Sequence, residues 1–187
     1  MAAEGKKILV IDDEEDVVTY LVTLLEDNGY KTVSAKDGNE AIEAVKEILA
    51  PLATVFTPNL PEASEFLNFR ICSPEDMQNA AIQLASWGAR SILLKGGHLE
   101  GSDSTDLFYI CPEDRFIVLK AERVDTRNDH GTGCTLSSAI ASYLAKAFPL
   151  ERAVRNAKEY LIKAIRAGAE YEIGIGHGPV HHFFEFW

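Results

Sequence analysis

The chain has 187 residues, enough for one domain or a little more, with 47% apolar and 25% charged residues, an ordinary globular make-up. A net charge of −11 disfavours nucleic acid and anionic membranes as partners, and no apolar run approaches the ~18 residues of a membrane-spanning helix. The three cysteines, Cys72, Cys111 and Cys134, are odd in number and lack metal-ligand spacing, which argues against a disulfide framework and suits a reducing cytoplasm. Acid is unevenly placed: residues 1–48 carry 12 acidic and 5 basic side chains, the remainder 17 and 13.

In chain order, Ile8 to Ile11 is a short, wholly apolar run, as in a parallel strand covered on both faces. Val17, Val18, Leu21, Leu24 and Leu25 then recur at helical spacing until Asn28-Gly29 stop the helix. Lys31 to Ala35 is a second strand. Ala41, Ile42, Val45, Ile48 and Leu49 mark a second helix, which Pro51 ends, and Leu52 to Phe56 is a third strand. Thr57 to Pro61 is a loop at its carboxyl end. Ser73-Pro74-Glu75-Asp76 combines an N-cap, a first-turn proline and acidic residues, predicting a helix to Trp87 that Gly88 closes. Ser91 to Leu94 is a fourth buried strand leading into Lys95-Gly96-Gly97. Thr105 to Cys111 and Arg115 to Val124 form an antiparallel edge hairpin turning at Pro112-Glu113-Asp114. Gly131-Thr132-Gly133 opens a helix to about Phe148, and a last helix runs from Leu150 to about Tyr171.

The βαβαβ order predicts an α/β fold: three layers around a doubly wound, mainly parallel sheet with an antiparallel edge hairpin. The expected order is second strand, first, third, then Ser91–Leu94.

KKILVIDDEEDV, followed by NGYKTVSAKDGNEAI, resembles the opening of a response-regulator receiver domain, a flavodoxin-like fold. The resemblance implies that Asp12 and Asp13 help hold Mg²⁺ beside a phosphoaccepting aspartate, and carboxylate oxygens suit that hard cation. The acceptor should stand four residues before a proline. Counting back from Pro61 gives Thr57, so the phosphorelay switch cannot form as that family forms it. Asp12 and Asp13 equally suit a solvated loop between a strand and a helix start.

ATVFTPNLPEA, ILLKGGHLEG, DHGTGCTLSSAIASYLA and GIGHGPVHHF occur in order and resemble the hydroxymethylpyrimidine (phosphate) kinases of thiamine synthesis, in the ribokinase-like superfamily. A Gly-Thr-Gly turn before an apolar helix is by itself a candidate anion site, because backbone N–H groups and the positive dipole end converge there. The resemblance makes Gly131, Thr132 and Gly133 the anion hole for the transferred phosphoryl group. It makes Cys134 the vestige of the catalytic base, a role a thiol at a helix N-terminus suits. Asn59 and Glu62 match the family's Asn-x-x-Glu motif for nucleotide phosphates and Mg²⁺, which adds Glu62 to Asp12 and Asp13 as weak metal ligands, and Lys95 faces the nucleotide phosphates. Each has a structural alternative: a tight turn at the glycines, a small packed Cys134, a helix start at Glu62, a surface Lys95. His177, His181 and His182 belong to the family's tail and read as packing or surface residues rather than metal ligands. Asp129 departs from the threonine usual before His-Gly-Thr-Gly-Cys, and its charge opposes phosphate.

The two resemblances together suggest one domain over residues 1–187, joining a receiver-like segment 1–48 to a pyrimidine-kinase-like segment 49–187. The kinase's own pyrimidine-binding half is replaced in such a join. The chain therefore reads as an engineered chimera without intact catalysis that keeps an anion site for phosphate, sulfate or nucleotide, with weak ATP and Mg²⁺ binding. The alternative is an ATP-dependent hydroxymethylpyrimidine (phosphate) kinase.

Overall fold

The computed structural model describes residues 6–97 and 103–186. The His98 to Gly101 part of the ILLKGGHLEG motif lies outside them. The fold is α/β. A first unit contains β1 (Lys7–Ile11), α1 (Glu15–Asp27), β2 (Lys31–Ala35) and α2 (Gly38–Ala44). After it come a π turn at Val45–Leu49, a 3-10 turn at Ala50–Leu52, α3 (Leu60–Leu67), α4 (Pro74–Ala85), β3 (Ser91–Leu94), β4 (Asp106–Ile110), β5 (Arg115–Leu119), α5 (Thr132–Ala145) and α6 (Leu150–Gly168). Among the described residues no helix is long and apolar enough to cross a membrane.

The core is built on β3, all four of whose residues are buried. Side chains alternate across a strand, so Ile92 and Leu94 join Leu107, Met77, Ala80, Ala81 and Leu84 on the face covered by α3 and α4. Leu93 joins Phe108, Ile117, Leu136, Val154 and Leu161 on the face covered by α5 and α6. That makes three layers, as expected. The α6 stripe of Ala153, Val154, Ala157, Leu161 and Ala164 is buried at helical spacing.

The strand ladders differ from the expected single sheet. β1 and β2 pair in parallel, Lys7 opposite Lys31 through Ile11 opposite Ala35, and form a two-stranded sheet. β3, β4 and β5 form a separate antiparallel sheet in chain order. The segment expected as the third strand does not pair with β1. It does lie beside β3, its other expected neighbour, through isolated parallel bridges at Phe56–Ile92 and Asn59–Lys95. Hydrogen bonds from Phe56 N to Ser91 O (2.9 Å), Leu93 N to Phe56 O (2.8 Å) and Lys95 N to Pro58 O (3.0 Å) hold it there. Pro58, between the two bridges, offers no N–H to a ladder and so interrupts it. Pro51 closes the 3-10 turn, leaving Leu52 at the surface rather than in a strand. β1 is covered less than its apolar run suggested: only Val10 is buried and Ile11 is half exposed.

The starts of α3 and α4 follow capping chemistry. Ser73 Oγ accepts the Asp76 N–H (3.1 Å) while the Asp76 carboxylate accepts the Ser73 N–H (2.9 Å). The same reciprocal box joins Asn59 and Glu62. It moves Leu60 and Pro61 out of the expected loop and into the first turn of α3.

Candidate active site

Three chain segments meet at the carboxyl end of β3. Lys95 follows the last residue of the strand, and its bridge to Asn59 sets the amino end of α3 beside it. Asn59 Oδ1 accepts the Glu62 N–H (2.8 Å) and Glu62 Oε2 accepts the Asn59 N–H (2.7 Å), which fixes Glu62 with Oε2 3.9 Å from Lys95 Nζ. The third segment is the first turn of α5. Gly131 caps it in the left-handed region at φ 81°, a conformation glycine adopts at no steric cost. At Gly133 a Cβ would stand 3.3 Å from Lys95 Nζ, which places that ammonium beside the turn.

Asn59, Lys95, Thr132, Gly133 and Asp129 line one cavity of about 790 Å³, whose other wall includes the apolar side chains of Val124, Leu136, Leu161 and Ile165. An ammonium, a helix N-terminus and an apolar wall in one space can receive a polyphosphate carrying a flat apolar group. The expected phosphate-facing residues are thus brought together, apart from Glu62, which reaches the group through Lys95 and Asn59, and Gly131, which faces elsewhere.

Cys134 is not in that cavity. With Gly131 it lines a second one of about 470 Å³, together with Tyr143, Lys146, Tyr160 and His182, and its residue is exposed. The two cavities lie on either side of one helical turn. Thr132 and Gly133 face the first, Gly131 and Cys134 the second.

The metal set does not form. Asp12 Oδ1 takes the Glu14 N–H (2.9 Å) and so closes the turn before α1, the structural alternative for this acid pair. None of Asp12 to Asp16 lines the large cavity. Among the described residues no three Asp, Glu, His or Cys side chains gather as metal ligands, so Asp12, Asp13 and Glu62 are not joined. The tail histidines make protein contacts, with His177 and His182 exposed at the surface. His182 Nε2 meets Thr135 Oγ1 at 2.9 Å, His177 Nδ1 meets Asp129 Oδ1 at 2.8 Å, and the Phe183 N–H donates to His181 Nδ1. The Asp129–His177 contact draws on the carboxylate expected to oppose phosphate.

Sequence reasoning missed a buried ion pair in the same cavity. Lys158 Nζ lies 2.6 Å from Asp106 Oδ2, with both residues buried. The available signal was a lysine inside the apolar stripe of α6 and an aspartate opening the wholly buried run of β4.

A family model described as phosphomethylpyrimidine kinase matches residues 31–181. A hydroxymethylpyrimidine/phosphomethylpyrimidine kinase of Rhizobium meliloti is 50% identical over 149 residues, covering 79% of this chain and 55% of that protein. The thiamine biosynthesis bifunctional protein ThiED of Geobacter sulfurreducens is 47% identical over 143 residues, 76% of this chain and 28% of that one. Among solved structures, the pyridoxal kinase from Staphylococcus aureus in complex with AMP-PCP and pyridoxal superposes with a TM-score of 0.75 at 29% identity, covering 97% of this chain and 68% of that one. The chain spans about half the length of the Rhizobium kinase it matches. These matches overturn the reading of an inactive engineered chimera. The family match begins at Lys31, inside the segment read as receiver-like, and extends past the expected join at 48/49 to residue 181. The chain belongs to the phosphomethylpyrimidine kinase family.

Proposed function

We propose that this member of the phosphomethylpyrimidine kinase family transfers the γ-phosphoryl group of ATP to the hydroxymethyl group of a pyrimidine, across the first turn of α5. The observation that carries the reading is the placement of two cavities on opposite sides of that turn, with Lys95 and Gly133 on one side and Cys134 on the other.

The nucleotide lies in the larger cavity, its flat base against the apolar wall and its phosphates at Lys95 and the N–H groups of Thr132 and Gly133. The pyrimidine lies in the smaller cavity, with its hydroxyl toward the turn. The hydroxyl oxygen attacks the γ-phosphorus, the bond to the β–γ bridging oxygen breaks, and its electron pair leaves on ADP. The hydroxyl proton passes to Sγ of Cys134 in its thiolate form. The charge that develops on the transferred group is met by fixed N–H dipoles and by Lys95, so catalysis is positioning and electrostatic stabilisation.

Mg²⁺ is commonly held by one or two carboxylates plus substrate phosphates. Glu62 fits that role: its carboxylate is half exposed and fixed beside Lys95 by the capping box. When bound, the ion would screen phosphate charge. The test is a coupled assay of ADP release with and without hydroxymethylpyrimidine. Pyrimidine-dependent turnover lost in Cys134→Ala is expected. ADP release that ignores the pyrimidine contradicts the reading.

A further inference from the structure

The cavity wall contains a charged pair that the proposed reaction does not use. Asp106 and Lys158 are 2% and 8% exposed. Lys158 Nζ donates to Asp106 Oδ2 at 2.6 Å and approaches Ser104 Oγ at 3.4 Å. The other Asp106 oxygen, Oδ1, accepts the N–H of Gly96 at 2.9 Å. Gly96 follows Lys95 directly and is pressed against the residue that precedes β4: a Cβ on it would meet the Thr105 carbonyl oxygen at 1.7 Å. One line of contacts therefore runs from α6 through Asp106 to the peptide that carries Lys95.

A buried pair of this kind is weak evidence for stability, because desolvation offsets much of its attraction and an apolar replacement is often neutral. Its geometry has a more specific use. Lys158 holds the Asp106 carboxylate in one orientation. That orientation holds Gly96, and the fixed Gly96 peptide limits where the Lys95 side chain can start. We infer that Lys158 and Asp106 are positioning residues that hold the Lys95 ammonium at the phosphate end of the cavity. The inference rests on the nucleotide reading of that cavity.

The test separates positioning from stability. Lys158→Met alone strands a buried carboxylate and lowers the melting temperature in either case. Lys158→Met combined with Asp106→Asn removes both charges, keeps an oxygen for Gly96, and should melt near the parent. In that double variant the Gly96 amide of the ligand-free protein should exchange with solvent at least tenfold faster, with α6 amides unchanged. Its affinity for Mg·ADP by calorimetry should fall about tenfold. Parent-like exchange at Gly96, or parent-like affinity, each overturns the inference and leaves the pair a stability device. If the parent itself binds no Mg·ADP, the nucleotide reading fails and Gly96 exchange alone decides whether the pair holds the loop. Should the double variant not fold, Asp106→Asn alone is read in the same two measurements.

Discussion

The ammonium of Lys95 rests against the backbone of Gly133, so closely that a methyl group added to that glycine would stand 3.3 Å from Nζ. A cation from the end of a strand and the amino end of a helix thus point into the same small volume. Both favour a negative charge there, and neither needs the rest of the chain to do so. Gly133→Asp would place a carboxylate in that volume and pair with Lys95 internally. Inorganic phosphate binding, followed by NMR shifts of the Thr132 and Cys134 amides, is expected to vanish in this variant. Retained shifts at parent concentrations would remove the anion site from the account.

Lys95→Met keeps most of the side-chain volume and deletes the charge. A hydrogen bond to a charged group contributes about 1.5–3 kcal/mol, so ATP affinity should fall by roughly 10- to 100-fold. Lys95 is paired only loosely, with Glu62 at 3.9 Å, so the melting temperature should move little. Calorimetry beside a thermal scan distinguishes this from general loosening, in which both values would drop together.

Asn59 has a structural duty besides its place in the cavity, because its side chain caps α3. Asn59→Ala should cost about 1 kcal/mol of unfolding free energy, the usual worth of an N-cap. Asn59→Ser, which can still cap, should recover most of it. Urea unfolding of the three proteins measures both steps, and equal loss in Ala and Ser variants would show that the capping bond contributes nothing.

Acid should destabilise the fold through named surface pairs. Hydrogen bonds from Arg155 and then Arg115 hold the Glu151 carboxyl below its ordinary value. The Cys72 N–H and the Ser73 cap do the same for Asp76, and Lys163 does so for Glu159. A carboxylate whose folded pKa is depressed binds fewer protons folded than unfolded. Its contribution is therefore present above the unfolded carboxylate range and is lost as pH falls through the folded value. Urea midpoints should stay flat near neutrality and drop as pH falls through and below the ordinary carboxylate range. Arg115→Met and Arg155→Met together should make that acid-side drop shallower, and an unchanged slope would count against these pairs.

Thiol chemistry should sort the cysteines. Burial pushes the Cys111 thiol above its ordinary value, whereas Cys72 and Cys134 are exposed. Since the thiolate is the reactive form, iodoacetamide at mildly alkaline pH should label Cys72 and Cys134 well before Cys111. Peptide mass mapping of a time course reads this directly, and first labelling at Cys111 would contradict its partly buried placement.

Local chemistry determined much of this protein from the sequence alone. The Ser73 cap and Pro74 placed the start of α4 and the Gly-Thr-Gly turn that of α5, the apolar run placed β3, and the Gly-Thr-Gly and Asn-x-x-Glu motifs marked Asn59, Thr132 and Gly133, which do gather at one strand end. Those features depend on a few neighbouring residues, which is why they were legible. The receiver-like opening misled for the same reason. A strand, an acid pair and a helix are a local pattern that many α/β chains share, and that pattern says nothing about which strands pair. Only the tertiary structure decided that β1 pairs with β2 apart from the β3–β5 sheet, and that Cys134 faces away from Lys95 across one helical turn. It alone showed that Lys158, a lone charge in an apolar stripe, finds Asp106 on a strand 52 residues earlier. Such pairings are set by desolvation and packing between distant segments, and a buried charge declares its partner only when the chain has folded around both.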